Sequence, residues 1–377
     1  MDLSTLDSIL PQVTKPARYT GHEWNSVVKG WDEADLHIAL AYPDTYEIGM
    51  SNLGMAILYE ILNGTQGVLA ERVFAPWTDM EAAMRDHGVS LFSLESHRPL
   101  IEFDWIGFSL QYELNYTNVL NMLELAGIPV LAEERDERHP LVIGGGSCAY
   151  NPEPLADFFD LFVVGEGEEV IVELYQAYFE KSWERRDFLM RTASVEGVYV
   201  PSLYTVSYEN DRTVGSVQPM HPEAKDRIMK RVVSPLPPAP TRPVVPFIQV
   251  VHDRAMVEIQ RGCTQGCRFC QAGMVYRPLR ERPPDEILEE IDSLLKSTGY
   301  DEIALLSLSS SEYSHIEELL DGILLRHRSP KVSISLPSLR VDSFSVSLAE
   351  KVQQGRRTGL TFAPEAGSDR LRRVINK

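Results

Sequence analysis

The chain has 377 residues, 44% of them hydrophobic, enough to bury more than one core, and two domains are the natural expectation. Its formal charge of -19 argues against a broad nucleic-acid-binding face, because phosphate contacts need a net positive surface. No apolar run is long enough to cross a membrane, and a cytoplasmic setting in which the four cysteines stay reduced is expected. Arginine is concentrated locally, at 268–282 and 370–377, where pairing with carboxylates or a bound small molecule is favoured over contact with a duplex.

Residues 1–34, through Pro11, Pro16 and Trp31, carry no clear period and are expected to wrap onto the neighbouring domain as an N-terminal extension. From Asp35 the text alternates: DLHIALAYP reads as a strand, MAILYEILNG as a helix stopped at Gly64, and GVLAERVFAP as a strand. EFDWIGFSL is a strand, NYTNVLNMLELAG a helix closed by Gly127, and HPLVIGGG and DLFVVGEGEE are further strands. Strands and helices of these lengths in alternation require parallel pairing with crossover helices, so residues 35–185 are predicted to form a doubly wound α/β sheet. Ligands of such sheets bind beyond the carboxyl ends of the strands. Over 186–249 the pattern changes to a small β unit, VEGVYVPSLYTVSYENDRTVGSV, and then to SPLPPAPTRPVVP, predicted to be a stiff extended spacer rather than a partner-binding motif.

In residues 250–377, AMVEIQ leads directly into the loop EIQRGCTQGCRFCQAG. PPDEILEEIDSLLKSTG comes next as a helix with Ile287, Leu288, Ile291, Leu294 and Leu295 on one face, Pro283 and Pro284 before it and Gly299 at its end. Strand EIALLSLS, helix SHIEELLDGILLRH, strand KVSISLP, helix SVSLAEKVQQG, strand GLTFAPE and the start of helix DRLRRVI complete four strand-helix units. The cysteine loop stands just after the first strand, where barrel enzymes carry their active sites.

Cys263, Cys267 and Cys270 are separated by three residues and then two. Thiolates are the usual ligands of a four-iron, four-sulfur cluster, and three of them leave one iron open. A zinc site of three cysteines and a histidine, with His252, His315 or His327, is the alternative, although closed zinc sites usually pair their ligands. Cys148 lies far away in sequence and reads as a small core or loop residue rather than a disulfide partner.

With Phe269 before the last cysteine, and Gly262 and Gly266 letting the loop wrap closely, this segment resembles the cluster loop of radical S-adenosylmethionine (SAM) enzymes. The resemblance implies that the open iron holds the amino and carboxylate groups of SAM, and that an electron from the cluster yields methionine and a 5'-deoxyadenosyl radical. It extends over 250–377 as a partial radical SAM (βα) barrel. By position, Ser307, Ser309 and Ser310 stand where that family presents a glycine-rich strand end to the methionine amino group. Arg340 and Glu365, at the ends of the third and fourth strands, match positions that contact the carboxylate, sulfonium or ribose; a mutual ion pair or exposure to solvent is their other reading. Fewer units are present than in a full barrel, so more strand-helix units, in a longer chain or a partner chain, are expected to be needed for activity. The unpaired apolar edge would otherwise invite aggregation.

The segment 35–185 resembles, in turn, the flavodoxin-like cobalamin-binding domain often fused ahead of such barrels. In DTYEIG, from Asp44 to Gly49, Tyr46 takes the place of the family's histidine. A phenol with a pKa of about 10 stays protonated and is a poor cobalt ligand. Bound cobalt should therefore lack a protein nitrogen. Ser109 and Leu110 match a later serine-leucine element, Gly144, Gly145 and Gly146 a glycine pair, and GEGEE (165–169) the turn after it. Asp44 as the cap of a helix near Met50, and the glycines as a tight turn, are the plainer alternatives.

The expected function is a radical SAM enzyme of unknown substrate with cobalamin as methyl carrier, served by a reductase, flavodoxin or ferredoxin as electron donor. A methylthiotransferase-like enzyme acting on RNA without cobalamin, and a non-catalytic iron-sulfur electron-transfer or scaffold protein, are the competing readings.

Overall fold

The computed structural model describes residues 3–179, 184–327, 332–340, 346–352, 359–360 and 362–377. The chain divides into two compact units, Met1–Val233 with Pro246–Val250, and Ser234–Val245 with Val251–Lys377.

In the first unit a short helix α1 (Leu3–Ile9) precedes strand β1 (Leu36–Tyr42), helices α2 (Tyr46–Gly49) and α3 (Leu53–Gly64), strand β2 (Val68–Phe74) and helix α4 (Thr78–His87). Then come β3 (Trp105–Ser109), α5 (Tyr116–Leu125), β4 (Leu141–Gly145), β5 (Leu161–Val163), α6 (Gly167–Phe179), α7 (Arg185–Thr192) and β6 (Val198–Tyr199). The sheet order is β2-β1-β3-β4-β5-β6, parallel throughout except for β6. Burial on both faces explains the near-continuous apolar text of β1, and β2 is buried throughout although it carries Glu71 and Arg72. Leu6, Ile9, Met80, Met84, Val119, Met122 and Leu123 of α1, α4 and α5 cover one face. On the other, α3 packs against β2 and α6, and Trp105 meets Tyr178 and Phe188. This is the doubly wound sheet expected from the alternation, in the flavodoxin-like order that the resemblance implied. The antiparallel sixth strand was not expected: Val198 and Tyr199 lie in text that reads as part of a separate β unit, but pair with Val163 and Phe162. The remaining hairpin, β7 (Tyr204–Tyr208) and β8 (Val214–Pro219), forms its own two-stranded sheet. The helix expected near Met50 begins instead at Leu53, capped by Asn52 accepting from the Met55 N–H at 2.9 Å.

The second unit opens with β9 (Ala255–Glu258) and β10 (Gln260–Arg261), succeeded by α8 (Ala272–Val275), β11 (Arg280–Glu281) and α9 (Pro284–Thr298). It continues through β12 (Glu302–Leu306), α10 (Ile316–Arg326), β13 (Ser333–Ser335), α11 (Val346–Val352) and α12 (Asp369–Ile375). The parallel sheet runs β13-β12-β9. Ala255, Val257 and Ile303 turn toward Ile287, Ile291 and Leu294 of α9, which ends at Gly299 with a left-handed φ of 74°. The fourth strand expected from the sequence is represented, among the described residues, by a single parallel bridge of Leu339 with Phe362. The proline-rich segment does more than space the domains: Arg282 Nη2 donates to Pro237 O and Ser297 Oγ to Thr241 O, strapping it to α9.

Glu290, on α9, is 6% exposed and pairs with Arg282 at 2.7 Å, while its Oε1 has no partner among the described residues. Burial pushes its pKa up to about 8, opposed by Arg282 and helped by Glu258. A folded-state pKa above the ordinary 4.5 contributes stability that is complete below that value and lost as pH rises through about 8. The urea midpoint of the protein is therefore expected to fall between pH 5 and 9, and Glu290→Gln to flatten that fall. An unchanged slope in the variant would show that Glu290 is ionised throughout.

Candidate functional site

Gln260–Arg261 pairs antiparallel with Arg280–Glu281, so a two-residue ladder closes the cysteine loop at its base, directly beyond the carboxyl end of β9. At that neck Gly262 has φ 96°, and a Cβ there would stand 2.5 Å from Pro278 O, so only glycine fits. Gly266 is also left-handed, at φ 62°. Cys270 N donates to Cys267 O at 3.0 Å, and the turn runs into α8. Two sulfurs receive backbone donors: Gln265 N to Cys263 Sγ at 3.5 Å and Gly273 N to Cys270 Sγ at 3.3 Å. The third, Cys267 Sγ, receives Arg340 Nη1 at 3.8 Å. All three thiols are free and half-buried, whereas Cys148 is buried in the first unit. Hydrogen bonds of this kind fix the direction of a sulfur that is to ligate a metal.

Arg340 also faces Glu312, with Nε 3.8 Å from Oε1, and Gln265 Nε2 donates to the same oxygen. Glu312 thus joins the cysteine loop to the third strand end. Sequence reasoning passed it over, although a carboxylate closing the run SSSE beyond β12 was the available signal. Glu365, at φ 62°, pairs with Lys377 at 2.8 Å. The three serines divide. Ser310 is fully buried and its hydroxyl lies 3.0 Å from Leu305 O and 2.8 Å from Pro337 O, tying the second and third strand ends. Ser307 Oγ donates to Ser310 Oγ and accepts from Ser309 N. Among the described residues Ser309 Oγ, buried, has no partner, and neither does Oε1 of Gln260, whose Nε2 holds Ser309 O at 2.9 Å. Two orphaned buried polar atoms beside the cysteine loop suit a polar ligand.

Among the described residues the zinc alternative finds no fourth ligand: His252 stands against Arg254, His315 against Glu318 and His327 against Asp292. Among the described residues no three His, Cys, Asp or Glu side chains gather around the position of a single ion. A cuboidal cluster differs in that each thiolate takes a different iron.

In the first unit the order reverses at β1 and β3, and the crevice of such a sheet opens there. Asp44, Tyr46 and Gly49 come after β1, Ser109 and Leu110 end β3, and Gly144–Gly146 end β4. Register sets Ser109 beside Gly145, and Leu110 N donates to Gly145 O at 2.6 Å. The glycines have different reasons. A Cβ on Gly144 would stand 2.7 Å from the Phe162 ring, and on Gly146 (φ 105°) 2.6 Å from Leu110 O; on Gly145 it would meet nothing within 4 Å. Exposed Ile48, Tyr112 and Leu114 lie past the ends of the neighbouring β1 and β3. An open glycine with apolar side chains at adjacent strand ends suits a broad, partly apolar ligand. Tyr46 is turned away from any such role: it is 1% exposed and donates to Glu23 Oε1 at 2.9 Å. Burial, then the Glu23 carboxylate, pushes its phenol up. Glu23 in turn pairs with Arg72 and Arg72 with Glu95, so the network satisfies the buried guanidinium of Arg72 on β2. Asp44 accepts from Thr45 N, and Gly49 packs under Phe74.

No helix among the described residues is long and apolar enough to cross a membrane. Residues 54–201 match the family of radical SAM proteins, N-terminal, and residues 257–377 the radical SAM superfamily. The uncharacterized protein MJ0966 of Methanocaldococcus jannaschii is 27% identical over 350 residues, 90% of this chain and 63% of that protein. A tRNA-2-methylthio-N(6)-dimethylallyladenosine synthase of Chlorobium phaeobacteroides is 26% identical over 129 residues, 33% of this chain and 29% of that one. The solved structure of the cobalamin-dependent SAM radical enzyme OxsB, with aqua-cobalamin and SAM bound, aligns at a TM-score of 0.58 and 14% identity over 91% of this chain and 46% of that one, a likeness of fold. The chain spans 63% of its curated relative's length and 46% of OxsB's. With one family model matching within each compact unit, the chain carries a radical SAM N-terminal domain over 54–201 and a radical SAM domain over 257–377.

Proposed function

We propose that Cys263, Cys267 and Cys270 hold a four-iron, four-sulfur cluster with one iron open to SAM, and that the front sheet binds cobalamin. The observation that carries this reading is a loop of three half-buried thiols, each receiving an N–H donor, at the carboxyl end of the first strand of a parallel sheet. When bound, the cluster supplies the electron that splits SAM into methionine and a 5'-deoxyadenosyl radical, and cobalamin supplies a methyl carrier. The protein's part is to bind and orient. Backbone N–H groups and Arg340 orient the sulfurs. Ser309 Oγ and Gln260 Oε1 offer a donor and an acceptor for the polar end of SAM. Glu312 holds Arg340 and Gln265 in place. On the front sheet, Gly145 lets a ligand approach the backbone, and Ile48, Tyr112 and Leu114 shield it from water. The half-exposed thiols fit a reducing, cytoplasmic compartment, with a reductase, flavodoxin or ferredoxin as electron donor. The substrate is left unassigned.

A second reading, a methylthiotransferase acting on RNA without cobalamin, is favoured by the match over 129 residues with the Chlorobium synthase, and opposed by the charge of -19. Anaerobic purification separates the two. Iron, sulfide and corrinoid in the protein, with 5'-deoxyadenosine formed on reduction, support the first reading. Retained RNA without corrinoid supports the second, and a loaded, reduced protein that leaves SAM intact overturns both.

A further inference from the structure

The last helix, α12, ends against the cysteine loop, although 98 positions separate Cys270 from Ser368 at its N-cap. A helix leaves its final four carbonyls without intrahelical partners. Here each has one. Lys377 N donates to Arg372 O at 2.8 Å and Asn376 N to Arg373 O at 3.3 Å, with Asn376 left-handed at φ 59°, the pairing of a Schellman motif. The other two carbonyls are taken by the loop: Arg268 Nη1 donates to Val374 O at 2.7 Å and Arg268 N to Ile375 O at 3.0 Å. The loop receives as much in return. Asn376 Nδ2 lies 3.0 Å from Gln265 O and 3.1 Å from Gly266 O, the two carbonyls immediately before Cys267.

We propose that Asn376 and Arg268 form a clamp that positions the Cys263–Cys267 segment for its ligand, so that Asn376 is a positioning residue of the site. The proposal rests on the cluster reading of the three cysteines, but the clamp itself is a property of the metal-free chain. Asparagine suits this place for two separate reasons. It tolerates the left-handed backbone that ends the helix, and its amide carries donors that carbonyls can accept. Glycine would keep the first property and lose the second; aspartate would set a carboxylate against two carbonyls.

Two measurements on the purified full chain test this. In the metal-free, reduced protein, alkylation of each cysteine is resolved by peptide mapping. Asn376→Ala and Asn376→Gly are expected to speed labelling of Cys263 and Cys267 severalfold, Arg268→Ala to do likewise, and Cys148 to stay at its wild-type rate. In protein reconstituted with iron and sulfide, the same variants should surrender iron to a chelator severalfold faster and broaden the electron paramagnetic resonance signal of the reduced cluster. Equal rates in wild type, Asn376→Ala and Asn376→Gly would overturn the clamp. So would a rise at Cys148 matching that at Cys263, which would mean general loosening. A wild-type protein that takes up no cluster would sink the proposed function while leaving the alkylation result to decide the clamp.

Discussion

Replacing any one of Cys263, Cys267 and Cys270 by alanine is expected to remove most of the iron and all formation of 5'-deoxyadenosine. In the proposed cluster each thiolate would hold a different iron and one iron would have no protein ligand, so two remaining thiolates would leave half of it unanchored. The three losses should be equal in iron content despite unequal surroundings. Cys263 and Cys270 lose a backbone donor's acceptor, whereas Cys267 loses the sulfur that Arg340 faces. Cys148→Ala is the control. That thiol is 5% exposed, its backbone N–H holds Leu110 O at 3.0 Å, and burial pushes its pKa up, so it belongs to the core of the front sheet. Iron and sulfide per chain, the visible charge-transfer absorbance and deoxyadenosine after reduction are the measurements. A Cys267→Ala protein with a full cluster and undiminished deoxyadenosine would refute the assignment.

Much of this architecture was legible because period and punctuation agree. The run LHIALAY is buried on both faces, as its text requires, and Pro284 and Gly299 bound α9 where proline and glycine mark a helix's start and stop. The cysteine loop was legible for another reason: its spacing is local, so no tertiary knowledge is needed to bring the thiols together. What sequence could not give were partners brought in from a distance. Glu312 reaches Gln265 from 47 positions away and Asn376 reaches Gly266 from 110. Neither distance has a period. The buried pair of Arg72 with Glu23 is a like case, since a charged residue in a strand text says that a partner exists and not where it lies. Tyr46 was read from a motif as a replaced ligand, and its 1% exposure shows the packing reason for the residue type. The antiparallel β6 was hidden because two residues, Val198 and Tyr199, are too few to carry an alternation.

The three consecutive glycines at the end of β4 are expected to respond to substitution in opposite ways, and the difference tests where the proposed corrinoid lies. Gly144→Ala forces a Cβ to within 2.7 Å of the Phe162 ring and 3.1 Å of Leu110, an overpacking that costs about 1–3 kcal/mol of stability. Gly146→Ala meets Leu110 O at 2.6 Å from a left-handed backbone and should be at least as damaging. A Cβ on Gly145 meets nothing within 4 Å among the described residues, and Gly145→Leu is expected to cost the fold no more than about 0.5 kcal/mol. The side chain it adds occupies the space beside Ser109 at the carboxyl edge of the sheet, where the proposed ligand would lie against the backbone. Corrinoid retention should therefore be lost in Gly145→Leu while its unfolding midpoint matches wild type. Tyr46→Phe should do the reverse. It removes the donor to Glu23, weakening stability by about 1 kcal/mol, and leaves the corrinoid spectrum as it was because the phenol oxygen is spoken for in the core. If Gly145→Leu keeps its corrinoid at wild-type affinity, the ligand does not rest on this edge. If Tyr46→Phe shifts the spectrum strongly, the phenol lies on the cobalt after all, and the buried network through Glu23 and Arg72 must open to release it.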